Sequence, residues 1–185
     1  MKVSMDDSHV QQQVFQVLMQ AMARPGTWGD LPVGAQPLDL VLTALCDPAA
    51  GFADAENRVG ERTRLHIGTQ VLSEDTAFFV VADGSSAQAA ERQHPCLGTL
   101  EDPHLSTTFV LMLPEATAEN VLKLQGPGIH PSGVSMDVGG LHSRWLERRE
   151  TWVRHFPMGV DFILLRGARV AALPRTTRVL TEEGI

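Results

Sequence analysis

The chain has 185 residues, 43 % of them hydrophobic and 5 % aromatic, with no tyrosine and a formal net charge of −7. That length suits one domain, residues 1–185, with a substantial core, and the acidic balance with so few rings excludes a stacking platform for nucleic acid. Two cysteines, Cys46 and Cys96, are too few for a disulfide framework or a four-thiolate cluster. The first residues lack the apolar core of a signal peptide, and no apolar run reaches membrane-spanning length. The expected setting is therefore the cytoplasm, away from membranes, with both thiols reduced.

The first element is an amphipathic helix. Ser8 and Gln11 form a capping-box pattern, with Asp6 and Asp7 near the positive helix end. Val10, Val14, Leu18 and Met22 recur every fourth residue, Phe15 and Met19 are read as widening the core-facing stripe, and Pro25-Gly26 stops it. Leu38–Leu45 reads as a second helix, ended near Asp47-Pro48. Residues 49–64 are polar and alanine-rich, and carry no clear element. Ala77–Val81 is a strand closed by Asp83-Gly84, Ser85–Arg92 a short helix with a serine cap, and His94–His104 a loop. Thr107–Leu113 and Asn120–Gln125 read as strands, with Gly126-Pro127-Gly128 as a turn. Leu141–Thr151 reads as a helix with Leu141 and Trp145 on one face and Arg144, Glu147 and Arg148 on the surface. Two apolar runs, Val160–Leu165 and Val170–Leu173, flank a polar glycine turn and read as a buried β-hairpin ended by Pro174, which cannot donate to a ladder. Four or five strands and about as many helices, in mixed order, give one α/β domain with helices covering a mixed sheet.

Charge is unevenly spread. Residues 1–120 hold 6 Lys and Arg against 16 Asp and Glu, while residues 121–185 hold 9 against 6, and eight of those nine are Arg. Arginine's planar fork suits phosphate, phosphonate or carboxylate. Just past Pro174 stand Arg175, Thr176, Thr177 and Arg178, the strongest candidate anion-binding or partner-binding segment, with His155 as a nearby titratable group. The segment has two readings. It could clamp an anion or an acidic partner, or Arg175 could pin the hairpin end to an acidic helix. On the first reading Arg175→Ala leaves the fold intact and weakens assembly, whereas Asp161→Ala lowers stability if its carboxylate pairs internally. Other constellations carry less. His94, Cys96, Asp102 and His104 match no zinc spacing, so no metal is expected. Gly126-Pro127-Gly128 lacks a P-loop ending, no serine occupies a nucleophile elbow, and Gly139-Gly140 reads as a helix start. No catalytic residue is identifiable.

Three segments, in order, resemble the PhnH family of the bacterial carbon–phosphorus lyase system. They are Phe15 with Ala21-Met22-Ala23-Arg24-Pro25-Gly26, Leu124-Gln-Gly-Pro-Gly-Ile129, and Phe156-Pro-Met-Gly-Val-Asp161 followed by Ala172-Leu-Pro-Arg-Thr-Thr-Arg178. Residues 46–66 and 84–104 match poorly. The resemblance implies a three-layer α/β/α fold similar to the pyridoxal-phosphate-dependent transferases but without the cofactor lysine, hence no cofactor. Here the only lysines are Lys2 and Lys123, and Lys123 alternates with Leu122 and Leu124 so as to point to solvent. The resemblance further implies a subunit needed to form α-D-ribose 1-methylphosphonate 5-triphosphate from ATP and methylphosphonate, structural or accessory in role. Its implied partners are PhnG, PhnI, PhnJ and PhnL, with a homodimer when isolated. The competing expectation is a free-standing enzyme on a phosphorylated small molecule, with Arg175 and Arg178 as clamp and His155 or His130 as base.

Overall fold

The computed structural model describes residues 8–47, 50–68, 71–115 and 118–180. In chain order the elements are α1 (Ser8–Ala23), β1 (Gly29–Asp30), α2 (Pro37–Leu45), β2 (Phe52–Ala53), α3 (Glu61–Ile67), β3 (Phe79–Asp83) and α4 (Ala87–Arg92). After a 3₁₀ turn at Pro103–Leu105 come β4 (Thr108–Leu113), β5 (Val121–Gln125), β6 (Val134–Asp137), α5 (Ser143–Trp152), β7 (Asp161–Arg166), β8 (Arg169–Leu173) and β9 (Arg178–Leu180).

The main sheet has the order β1-β8-β7-β4-β3-β2. Its strands β2, β3, β4 and β7 run parallel, and β8 returns antiparallel to β7 with Phe162 opposite Leu173. A second, three-stranded sheet has the order β6-β5-β9. Strands covered on both faces need apolar residues at successive positions, which is why Phe162–Leu165 is an unbroken apolar run, with Asp161 the one polar residue in Val160–Leu165. Alternate residues feed two cores. Val81, Val110, Ile163 and Val170 face Val14 and Leu18 of α1 and the apolar side of α2. Val80, Phe109, Phe162 and Leu164 face the other way, against α4, α5 and the inner side of the second sheet. The molecule is thus a mixed α/β structure in three layers. Trp145 and Trp152 anchor the second core, with the Trp145 ring edge-on to Phe109 at 5.3 Å and Trp152 stacked on it at 5.4 Å. Among the described residues no helix is long and apolar enough to cross a membrane.

Several sequence expectations are corrected. The strand count rises to nine among the described residues, because β1, β2, β6 and β9 hold only two to four residues each and show no alternation long enough to read. In the polar stretch 49–64, β2 is the added strand, and a helix begins only at Glu61. Phe15 and Met19 do not widen the core stripe: both are about half exposed, and α1 buries Val10, Val14, Leu18 and Ala21 instead. Asp6 and Asp7 lie outside the described residues. The serine cap of α4 is Ser86, whose Oγ accepts from Ala89 N at 3.1 Å. Lys123 lies on the exposed side of β5, as its alternation requires.

Candidate functional site

The hairpin dictates the first feature. Phe162 of β7 pairs with Leu173 of β8, so the residue before one meets the residues after the other. Asp161, mostly buried, therefore faces Arg175. Its Oδ1 accepts the Arg175 backbone N–H at 2.7 Å, and both carboxylate oxygens accept from Arg175 Nε, at 3.3 and 3.2 Å. Arg175 Nη2 donates to Asp161 Oδ2 and to Ser106 Oγ. Nη1 donates to the carbonyls of Pro103 at 2.9 Å and Pro157 at 3.2 Å. A guanidinium has five N–H groups, and here each has a partner inside the chain. One arginine thus ties together the end of β8, the start of β7, and the loops 103–106 and 155–158. The partner is the hairpin's own first carboxylate, where an acidic helix was one of the two readings.

A second arginine supports the turn from below. Arg149 of α5 is 3 % exposed and donates from Nη2 to the carbonyls of Pro174 and Thr177. Burial pushes its pKa down to about 10, opposed in part by the nearby Asp161 carboxylate. Thr177 N closes the turn on Pro174 O at 2.9 Å, and the Thr177 side chain is buried. Sequence reading misses Arg149 because it assigns the helix an apolar face from Leu141 and Trp145 alone and reads the neighbours Arg144, Glu147 and Arg148 as surface charge. The available signal was its place four residues after Trp145, on the same helix face.

The remaining candidates lie outward. Thr176 is half-buried, and Arg178 is exposed and opens β9 opposite Gln125. His155 is exposed at the start of the turn closed by Met158 N on His155 O, beside Phe156, which is 68 % exposed. Because Pro157 O accepts from Arg175, His155 belongs to the end of the molecule that Arg175 ties. His130 lies on the β5–β6 loop, its Nδ1 2.7 Å from Ser132 Oγ. A hollow of about 360 Å³ at the starts of β3 and β4 is lined by Phe78, Phe79, His104 and Ser106.

Two glycines show how the three sequence segments meet. Gly126 has φ +143°, and a Cβ there would lie 2.8 Å from Thr176 O. Gly128 has φ +77°, and a Cβ there would lie 2.0 Å from Ala23 O. No side chain fits either gap. The end of α1, the glycine loop and the Arg175–Arg178 turn are therefore packed backbone to backbone.

The other constellations have local roles. Among the described residues no three His, Cys, Asp or Glu side chains gather as metal ligands. His94 Nδ1 lies 2.9 Å from Arg92 O, and His104 stands 3.8 Å from Asp102. Gly139 N–H donates to Asp137 Oδ1 at 2.8 Å. That carboxylate also binds Arg166, Nη1 to Oδ2 at 2.8 Å, and is held down at about pKa 2, chiefly by the Arg166 hydrogen bond.

Convergence of these segments agrees with what the whole sequence matches. Residues 4–180 match the family model described as bacterial phosphonate metabolism protein (PhnH). The chain belongs to the PhnH family. It is 39 % identical to a putative C-P lyase subunit protein HtxG of Stutzerimonas stutzeri over 170 residues, 91 % of this chain and 85 % of that protein. It is also 30 % identical to the alpha-D-ribose 1-methylphosphonate 5-triphosphate synthase subunit PhnH of Rhizobium meliloti (strain 1021) over 187 residues, 92 % of this chain and 90 % of that protein. The PhnH match spans the nine strands of the described residues and both cores, so the poorly matching stretches noted in the sequence lie inside the family's fold.

Proposed function

We propose that this chain is an accessory subunit of the carbon–phosphorus lyase core complex, needed for forming α-D-ribose 1-methylphosphonate 5-triphosphate from ATP and methylphosphonate. It supplies surface and shape there and makes no bond by itself. One observation carries this reading: all five N–H groups of Arg175 are engaged inside the chain, so the residue best placed to clamp a phosphate has no donor left for one. The free-standing-enzyme alternative loses half its clamp by the same fact. Arg175 and Thr177 then hold the shape of the segment, while Thr176, Arg178 and His155 face the partners PhnG, PhnI, PhnJ and PhnL. The isolated protein is a cytoplasmic homodimer, folded as one domain about a single main sheet. Its layers follow the pyridoxal-phosphate-dependent transferase plan, with no lysine on that sheet to hold the cofactor.

Co-expression with the host's other carbon–phosphorus lyase subunits, one of them tagged, tests the reading. This chain is expected in the purified assembly at fixed stoichiometry. An assembly of full activity that forms without it refutes the reading.

A further inference from the structure

The second sheet buries one face and leaves the other to solvent. Along β5 the exposed residues are Val121, Lys123 and Gln125, with Leu122 and Leu124 turned into the core. Strand β9 sets Leu180 opposite Lys123 and Arg178 opposite Gln125. On β5 and β9 the outer face thus carries two cations among two aliphatic side chains, Val121 at 55 % and Leu180 at 42 % exposure, diagonal to each other across the ladder, while on β6 it carries Ser135 and Asp137, whose carboxylate is already paired with Arg166. Arg58, Arg64, Arg92, Arg144, Arg166 and Arg175 each face a carboxylate. Lys123 and Arg178 have no ion pair or side-chain hydrogen bond among the described residues, although the chain as a whole carries −7. Strand β9 is also the outer strand of its sheet, with one edge unpaired among the described residues. Such an edge is a template for another strand.

We propose that this edge and face take up an extended, acidic segment of a partner subunit, which adds as a fourth strand beside β9. The proposal rests on the subunit reading above and names the surface and the chemistry of its partner. Main-chain hydrogen bonds to β9 supply affinity, and alternate side chains supply specificity. Strands in a sheet lie about 4.8 Å apart, so the added strand runs roughly 10 Å from β5. Glutamates on its outer side then reach Arg178 directly and Lys123 across β9, and intervening apolar residues cover Val121 and Leu180.

The test uses the co-expressed assembly with the wild-type chain, the double variant Lys123→Glu/Arg178→Glu, the single variant Arg178→Glu, and as control Arg62→Glu on the exposed side of α3, which matches the single variant in charge. All four should melt alike, since the changed groups are exposed. The double variant should bind the other subunits about tenfold more weakly or worse, because like charges then face one another. The control should bind as wild type does, and the amides of Arg178–Leu180 should exchange more slowly in the wild-type assembly than in the isolated chain. Undiminished assembly of the double variant overturns the proposal and leaves the subunit reading standing. A wild-type chain that joins no assembly brings down both. Retention of RNA through Lys123 and Arg178, in place of a protein segment, also overturns it.

Discussion

At one end of the Pro174–Arg178 turn, Arg175 directs all five side-chain N–H groups into the fold; at the other, Arg178 opens an edge strand and makes no side-chain hydrogen bond among the described residues. In sequence the two are alike, three positions apart beside threonines. The difference comes from what each strand end faces. Arg175 follows β8 at the point where β7 begins with Asp161 and two loops expose carbonyls, so its charge is compensated and its donors are used. Arg178 lies on the solvent side of the second sheet and forms no ion pair among the described residues. One region holds the molecule together and the other is free to meet something else.

The largest test of that contrast is stability. Removing one member of a mostly buried ion pair costs about 3 kcal/mol or more, so Arg175→Met should lower the urea midpoint strongly, and Asp161→Ala should do the same. Arg178→Ala should stay within about 0.5 kcal/mol of wild type. Equal costs at the two arginines would erase the distinction. The expectation that Arg175→Ala leaves the fold intact thus gives way to a prediction of lost stability. Next comes Arg149→Met, which removes charged hydrogen bonds to two turn carbonyls and should cost about 2 kcal/mol, read in the same unfolding experiment. A neutral result would mean that Arg149 does not brace the turn.

The region around Asp137 sharpens the comparison through pH. Its carboxyl is held down at about 2, mainly by the Arg166 hydrogen bond. A depressed carboxyl contributes stability that is fully present above its unfolded value near 4 and is lost as pH falls through 2. Asp137→Asn should therefore lose less stability than wild type between pH 4 and pH 2. Urea midpoints over that range check it; parallel acid limbs would contradict it. The smallest effect concerns thiols. Burial, helped by Asp47, pushes Cys46 up to about 12, whereas Cys96 is partly exposed. A thiol reagent at pH 8 should label one cysteine in the native protein and two after unfolding; two labelled at once would place Cys46 at the surface.

Much of the frame was legible in the residues. The runs Val160–Leu165 and Val170–Leu173 announce a hairpin buried on both faces, and Leu122 and Leu124 place Lys123 outside. The short strands were not legible, since a two-residue pair such as Gly29–Asp30 is defined by its neighbour Arg169–Val170 and not by any pattern of its own. In the candidate site, the motif order pointed to the right segments, yet which arginine turns inward depends on contacts between residues 14 to 72 positions apart. Arg149 went unseen because composition cannot distinguish a helix's wet arginines from the one beneath a turn.

The most direct test of the claim that this chain makes no bond by itself is phosphorus NMR of the isolated, homogeneous protein with ATP and methylphosphonate. No ribose phosphonate product should form until the other subunits are added, and turnover at ordinary enzymatic speed by the chain alone would contradict the claim.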